Sequence, residues 1–392
     1  MNSRLTIVLP LKGRFLFTLR FLWHANKARL PYRFLIADGE VHPELARLLE
    51  DSRKTFPELD LEYIRYPNDT DLTRFYAKMV DVLQRVSTSY VKIADNDDFL
   101  AHTGLECCMN FLDSHDDYVC CGGGIAGFSV HVPLCDSAEM MIGPFNKLTY
   151  RYSPRDRSID LSSPSATDRV LAGVRNTWSY YAVFRTSALA AMWKEILEMD
   201  PTSFQLGERF LAMRALILGK ARSDPSVFSY VRQYWTSSGV HWTSPQSATR
   251  KTFIHHLLRS RFTEDVANVL DRISRRLAEL DGGDSAKIAD CLRQPLEQWV
   301  GDQIRLDYGA YATLRRHLRT YTPWLVAWLK RRHRLAIVVE RRSIFKKLRN
   351  DGATPEYIAK FKRELTQIEG TLVGREFKEF LDQHMLKLQA PR

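Results

Sequence analysis

Four short apolar runs, each followed by a stretch of helical periodicity or by a polar cluster, occupy the first hundred residues and leave few folds open. LTIVLPL (5–11) and YRFLIA (32–37) are almost continuously apolar, the pattern of strands covered on both faces. LEYIRY (61–66) reads as a third strand, and Tyr90 to Ala94, where apolar residues alternate, as a fourth. Between them, 15–28, 43–54 and 72–86 read as helices. This alternation at short spacing predicts an α/β fold, a mostly parallel sheet with helices on both faces. In such a sheet ligands gather at the carboxyl ends of the strands.

That rule selects residues without a motif search. Lys12 and Arg14 follow the first strand, Asp38 follows the second, and the acidic run Asp95, Asp97, Asp98 follows the fourth. Three carboxylates that close repel one another. They are comfortable where water, backbone N–H groups or a divalent cation offset their charge. Two readings stand side by side: a cation site, or a loop capping the helix that starts near His102. Basic groups beside a cation and a separate carboxylate at a second strand end suit a nucleoside diphosphate, with cation and Arg on the phosphates and Asp38 on the base or ribose. Taken singly, Asp38-Gly39 is a turn signal and Lys12-Gly13-Arg14 a solvated loop.

Composition narrows the partners. With 392 residues the chain exceeds the usual single domain, so two domains are expected. A formal net charge of +11 points to an anionic partner without choosing among nucleotide, nucleic acid and phospholipid. Four of the six cysteines form the vicinal pairs Cys107-Cys108 and Cys120-Cys121 with no C-x-x-C spacing, which argues against a disulfide framework and for a reducing compartment. No apolar run reaches the roughly 18 residues of a membrane span. The first strand is broken by Pro10 and followed by Lys12 and Arg14 where a signal peptide would have a cleavage site. The expectation is a cytoplasmic protein, soluble or peripheral on the inner face of the membrane.

The order of elements, the LP closing the first strand, Asp38 after the second, the TRFYAKMVDVLQ helix and ADNDD after the fourth resemble the nucleotide-binding half of GT-A glycosyltransferases. The chain is similar in particular to the inverting family 2 group and its bacterial surface-polysaccharide members, over about Leu5 to Arg232. The resemblance implies a GT-A-like sheet and metal-dependent transfer of a sugar from a nucleotide-diphosphate sugar to a glycan or lipid-linked acceptor, with Mn²⁺ or Mg²⁺ as cofactor. It places Pro10 and Asp38 against the nucleoside, Arg74 against base or diphosphate, Asp95 against the ribose, and Asp97 and Asp98 on the metal. Asn96 departs from the family pattern and leaves open which of the three acids binds directly; Asp97 is the expectation.

Further along, 104–114 reads as a helix and 118–121 as a strand ended by Gly122-Gly123-Gly124. This triplet lacks the frame of a phosphate loop and reads as a turn or a close approach to sugar. From 128 to 165 the pattern decays into Pro, Ser, Tyr and Arg, which suggests extended or irregular structure near the acceptor face. A strand and helix return over 177–199. Gly207-Glu208-Arg209 then opens a helix whose Phe210, Met213 and Ile217 recur at helical spacing. An acid at a helix start is favourable with no function at all, whereas the resemblance makes Glu208 the catalytic base. The strand SVFSYVRQYW leads to Arg232, placed to pair with donor phosphate. His241 is the nearest histidine for a metal, though it reads better as a surface or packed side chain.

Beyond about Ser247 the pattern is helical only, which divides the chain into a nucleotide-sugar-binding catalytic domain (1–246) and a basic all-helical domain (247–392). Val266, Val269, Leu270, Ile273, Leu277 and Leu280 form one stripe, and Ile358, Phe361, Leu365 and Ile368 another after Thr354-Pro355. The segment 324–349 carries nine Lys/Arg against the single Glu340, with Trp324 and Trp328 four apart. It reads either as a surface for an anionic membrane or as an ordinary solvated face with its tryptophans inside. Two rival readings stand beside this one. A sugar-phosphate nucleotidyltransferase carries a glycine-rich basic loop after the first strand, and LKGR is too short. A nucleic-acid-binding protein would use the basic helices, but no recognised base-reading or stacking module is visible. Sugar, nucleotide and acceptor are not written in these patterns.

Overall fold

In a computed structural model of the chain, the described residues are 3–40, 42–131, 147–152, 159–174, 178–233, 261–308 and 341–384. His241 and the 324–340 part of the basic segment lie outside them. The strands β1 (Leu5–Leu11), β2 (Arg33–Asp38), β3 (Asp60–Arg65) and β4 (Tyr90–Ile93) are joined through α1 (Phe15–Lys27), α2 (Pro43–Glu50), the short α3 (Ser52–Thr55) and α4 (Leu72–Gln84). They pair parallel in the order β3-β2-β1-β4. Leu11 stands opposite Asp38, and the Ala94 N–H donates to the Val8 carbonyl at 3.0 Å. The carboxyl ends that carry the candidate residues therefore finish at one edge.

Alternation within each strand explains why both faces are apolar. Val8, Leu35, Ala37, Val91 and Ile93 pack into one cluster with Tyr76, Met79 and Trp193. Leu5, Ile7, Leu9, Phe34 and Ile36 pack into another with Leu19, Leu22, Leu45 and Met109. The expected helix over 43–54 is two pieces broken at Asp51.

The sheet continues with β5 (Phe99–Leu100), α5 (His102–Asp113), β6 (Tyr118–His131), β7 (Lys147–Tyr152), β8 (Ile159–Leu161) and α6 (Ala166–Gly173). A 3-10 turn (Trp178–Tyr181), β9 (Val183–Arg185), α7 (Thr186–Met199), α8 (Phe204–Leu218) and β10 (Lys220–Gln233) complete it. The full order is β3-β2-β1-β4-β9-β6-β10-β5, with β7 on β6 and β8 on β10. Two expectations, on the glycine triplet and on the segment after Thr177, are corrected here. The glycine triplet does not end a strand: it lies inside β6, where β10 comes so close that a Cβ on Gly123 would sit 2.8 Å from the Ser229 nitrogen. The span 128–165, expected to be extended or irregular, holds the extended strands β7 and β8 among its described residues. The strand expected from Thr177 is a 3-10 turn followed by three residues of β9.

The carboxyl-terminal helices are α9 (Phe262–Asp281), α10 (Ser285–Tyr308), α11 (Arg341–Asn350), α12 (Pro355–Val373) and α13 (Glu376–His384). They pack back onto the sheet layers. Val269, Leu270, Ile273 and Leu277 of α9 share the cluster of Trp193 and Phe210, while Leu280 is 48% exposed and leaves the expected stripe. Ile344, Phe361 and Leu365 join Phe99, Phe128 and Phe228. The Tyr357 hydroxyl accepts from the Phe228 N–H at 2.7 Å and donates to its carbonyl at 3.1 Å. Among the described residues no helix is long and apolar enough to cross a membrane, and the described cysteines are unbridged.

Candidate active site

The loop leaving β4 carries the acidic run. One carboxylate oxygen each of Asp95, Asp97 and Asp98 lies within 4.8 Å of the others, and Asp97 and Asp98 are buried. Asn96, the residue that departs from the family pattern, explains how three acids come together. Its amide turns to α1, donating to the Thr18 hydroxyl at 2.9 Å and to the Arg14 carbonyl at 3.3 Å. The break in the acidic string thus ties the loop to the helix behind it.

Cationic and aromatic groups close around the acids. Arg14 occupies the left-handed region at φ 57° where β1 gives way to α1, and its Nη1 lies 2.8 Å from Asp97 Oδ2. Arg20, fully buried on α1, donates from Nη2 to the Asp97 carbonyl at 2.7 Å. Asp98 accepts from the Gln233 N–H at 2.7 Å and has Arg232 Nε at 3.8 Å. Tyr181 donates its hydroxyl to Asp95 Oδ2 at 2.6 Å and accepts from Arg232 Nη2 at 3.1 Å. The Asp95 N–H donates to the Tyr230 hydroxyl at 3.0 Å, and Tyr230 stacks on Tyr181 with ring centroids 5.1 Å apart. Beneath, the fully buried Lys92 donates to the Tyr181 carbonyl and lies over the Tyr230 ring.

Burial, and then the charge of Asp97, hold the carboxyls of Asp95 and Asp98 above the ordinary range, with Arg232 opposing. A set of acids raised by burial and by one another gains from a nearby dication more than a solvated set would. Its donors are hard oxygens, the chemistry Mg²⁺ and Mn²⁺ take. The residues present therefore fit such an ion.

Glu208 is not at the start of its helix. Ser203 caps α8, its hydroxyl accepting from the Leu206 N–H, and Glu208 falls in the second turn, out of reach of a capping role. Burial first, then the negative charge of Asp95, pushes its carboxyl up to about 7, while Arg232 and Arg209 pull it down. These couplings put Glu208 in one electrostatic neighbourhood with the acids on β4 and the arginine on β10. Arg209 itself is fixed by the Val174 carbonyl at 2.8 Å and by the Trp299 ring of α10.

Along the same edge, Asp38 is buried at the end of β2. Its oxygens accept from the Glu40 N–H at 3.0 Å and the Tyr63 hydroxyl at 2.8 Å, and burial raises its carboxyl. Lys12 donates to the Asp69 carbonyl at 2.5 Å. Lys78 and Asp69 form a buried pair at 2.5 Å whose ammonium also donates to the Leu11 carbonyl. Gly39 admits no side chain, since a Cβ would lie 2.1 Å from Asp69 Oδ2. Pro10 stands in β1 opposite Ala37. Arg74 is exposed on the first turn of α4, its N–H capped by Asp71 at 2.9 Å; the contacts described for it do not bring it to the acids.

The structure thus joins Arg14, Asp95, Asp97, Asp98 and Arg232 through direct contacts, sets Pro10, Lys12 and Asp38 beside them at the strand ends, and relates Glu208 to them through charge coupling alone. Arg20, Lys92, Tyr181 and Tyr230 were not anticipated. Arg20 had a signal, a lone cation in the apolar helix FLFTLRFLWH; the tyrosines arrive from a distant 3-10 turn and a distant strand and had none.

No protein-family model matches the chain, and no curated protein does. Among solved structures it is similar to S. aureus TarS 1-349, with 13% identity, 97% of this chain and 92% of that chain covered, and a TM-score of 0.46. The same fragment in complex with UDP-GlcNAc gives the same figures. Mannosyltransferase PcManGT from Pyrobaculum calidifontis, in complex with GDP-Man and Mn2+, gives 11% identity, 94% and 87% coverage, and a TM-score of 0.38. Likeness at this level assigns no residue a role.

Proposed function

We propose that the chain is a glycosyltransferase that moves a sugar from a nucleotide-diphosphate donor to an acceptor hydroxyl by single displacement, with inversion at the anomeric carbon. The observation that carries this reading is the convergence, at the carboxyl edge of an α/β sheet, of three carboxylates within 4.8 Å of one another with Arg14, Arg232 and a separate carboxyl, Glu208, raised to about 7. Asp97 and Asp98, with Asp95 beside them, would hold Mn²⁺ or Mg²⁺. When bound, the ion supplies charge stabilisation to the departing diphosphate.

The chain's own residues do the rest. Arg232 and Arg14, a third and a quarter exposed, offer guanidinium forks to phosphate oxygens. Asp38 and Pro10 face the nucleoside side of the edge, with Lys12 between them and the phosphates. Glu208 takes the proton of the acceptor hydroxyl as that oxygen bonds to the anomeric carbon. The bond from that carbon to the phosphate oxygen breaks with its electron pair going to the diphosphate. A carboxyl near 7 is a stronger base than an ordinary glutamate and still half ionised at neutral pH.

The acceptor on this reading is a glycan or a lipid-linked glycan. The described part of the basic segment supports an anionic surface only in its electrostatic form. Ile344, Phe345 and Leu348 of α11 are buried in the core, leaving Arg342, Lys346 and Arg349 exposed. An acceptor-free test is slow hydrolysis of UDP-, GDP-, CDP- and dTDP-sugars with Mn²⁺, followed by proton NMR. The reading expects release of nucleoside diphosphate and a first-formed sugar of inverted anomeric configuration. Retained configuration removes the single displacement.

A further inference from the structure

The acidic loop is already balanced by its own protein. Asp95, Asp97 and Asp98 face Arg14 on Asp97 at 2.8 Å, Arg232 at 3.8 Å from Asp98, and Arg20 on the Asp97 carbonyl at 2.7 Å. The remaining ionisable neighbours do not upset the count. Burial lowers Lys92 and raises Glu208, drawing both toward their neutral forms, and burial lowers His24 to about 3 and holds it neutral.

The three guanidiniums differ in freedom. Arg14 and Arg232 are partly exposed and can turn to a ligand. Arg20 is fully buried, with its guanidinium 4.9 Å from the Phe17 ring centroid and 5.0 Å from that of Phe99, and its Nε and Nη1 have no hydrogen-bond partner among the described residues. A cation so placed is costly unless nearby charge compensates it, and Asp97 and Asp98 are the anions whose fields act on it. It cannot swing away when another cation arrives.

On the reading above, we propose that Arg20 is a positioning residue that anchors the acidic loop and keeps it charge-balanced, so that a divalent cation binds well only together with the donor's diphosphate. A dication alone would leave excess positive charge in a partly buried site. The dianionic diphosphate brings the matching charge, and the two enter as a neutral pair. The coupling thereby prevents the site from filling with metal in the absence of donor.

The sign of the test is unusual. If Arg20 served structure alone, its removal would loosen the loop and weaken metal binding. If it serves as the fixed counter-charge, removal tightens binding of the bare ion. The full chain, Arg20→Met, Arg20→Lys and Asp97→Ala are titrated with Mn²⁺ alone, reading free Mn²⁺ by electron paramagnetic resonance, with thermal unfolding confirming the folded state. Arg20→Met is expected to bind Mn²⁺ about tenfold more tightly than wild type, Arg20→Lys to match wild type, and Asp97→Ala to lose the site. Should the Met variant not fold, Arg20→Gln carries the same expectation. Asp97-dependent uptake that stays equal or weakens in both uncharged variants, or tightens equally in Arg20→Lys, overturns the inference and leaves the glycosyltransferase reading standing. Absence of Asp97-dependent uptake in every variant, with and without UDP- or GDP-sugars, removes both.

Discussion

Glu208 is the residue where stability and chemistry pull apart. Its carboxyl is raised from an ordinary 4.5 to about 7, so the folded chain holds that proton more tightly than the unfolded one. Ionising it costs stability as the pH rises from 4.5 through 7, and the cost is fully present above that window. Glu208→Gln is therefore expected to unfold at higher temperature than wild type at pH 8, by an equivalent of roughly 1–3 kcal/mol. The gain should vanish near pH 4. The same variant is expected to lose on the order of 10²–10⁴ in turnover, the range for removing a general base. Wild-type turnover should fall as the pH drops below about 7, with roughly tenfold less activity one unit lower. A pH profile of kcat and a pair of melting curves check all of this. A flat profile between pH 6 and 8 contradicts the assignment of Glu208 as base.

At the scale of elements, contacts between backbones decide what side chains are allowed. Gly104 lies in the first turn of α5, where a Cβ would be 2.0 Å from the Phe228 carbonyl oxygen of β10. Gly104→Ala is expected to destabilise by about 1–3 kcal/mol or more, read by denaturant unfolding, and to lower donor affinity, since β10 delivers Tyr230 and Arg232. An unchanged midpoint contradicts this close approach. Such contacts also explain what was legible beforehand. β1 and β2 announce themselves because burial on both faces makes their runs almost continuously apolar, and the parallel order places Arg14, Asp38 and Asp97 at one edge. β6 was cut short because Gly122-Gly123-Gly124 reads locally as a breaker. The glycines instead answer register shifts in β10 about a hundred residues away, which no local window contains. The Ser203 cap is locally readable, and it starts α8 three residues before Gly207. Tyr181 and Tyr230 could not be joined to Asp95 before the sheet order was known.

Across the whole molecule, the carboxyl-terminal helices share cores with the sheet. Phe361 of α12 is fully buried against Phe228 and Phe345. Phe361→Ala is expected to cost about 3–5 kcal/mol and to shift a single unfolding transition detected both by far-ultraviolet circular dichroism and by loss of donor-induced stabilisation. Two separated transitions would contradict a shared core. The excess of basic residues, +11 overall, and the exposed face of α11 give the molecule a field suited to anionic ligands and surfaces. The central claim, however, rests on Asp97 and its neighbours. It is tested most directly by thermal shift of wild type and Asp97→Ala with UDP-, GDP-, CDP- and dTDP-sugars, each with and without Mn²⁺. The account predicts that one nucleotide class stabilises the wild type strongly only when Mn²⁺ is present, and that Asp97→Ala abolishes this effect while remaining folded. Equal stabilisation of the variant, or none of the wild type by any sugar nucleotide, would contradict it.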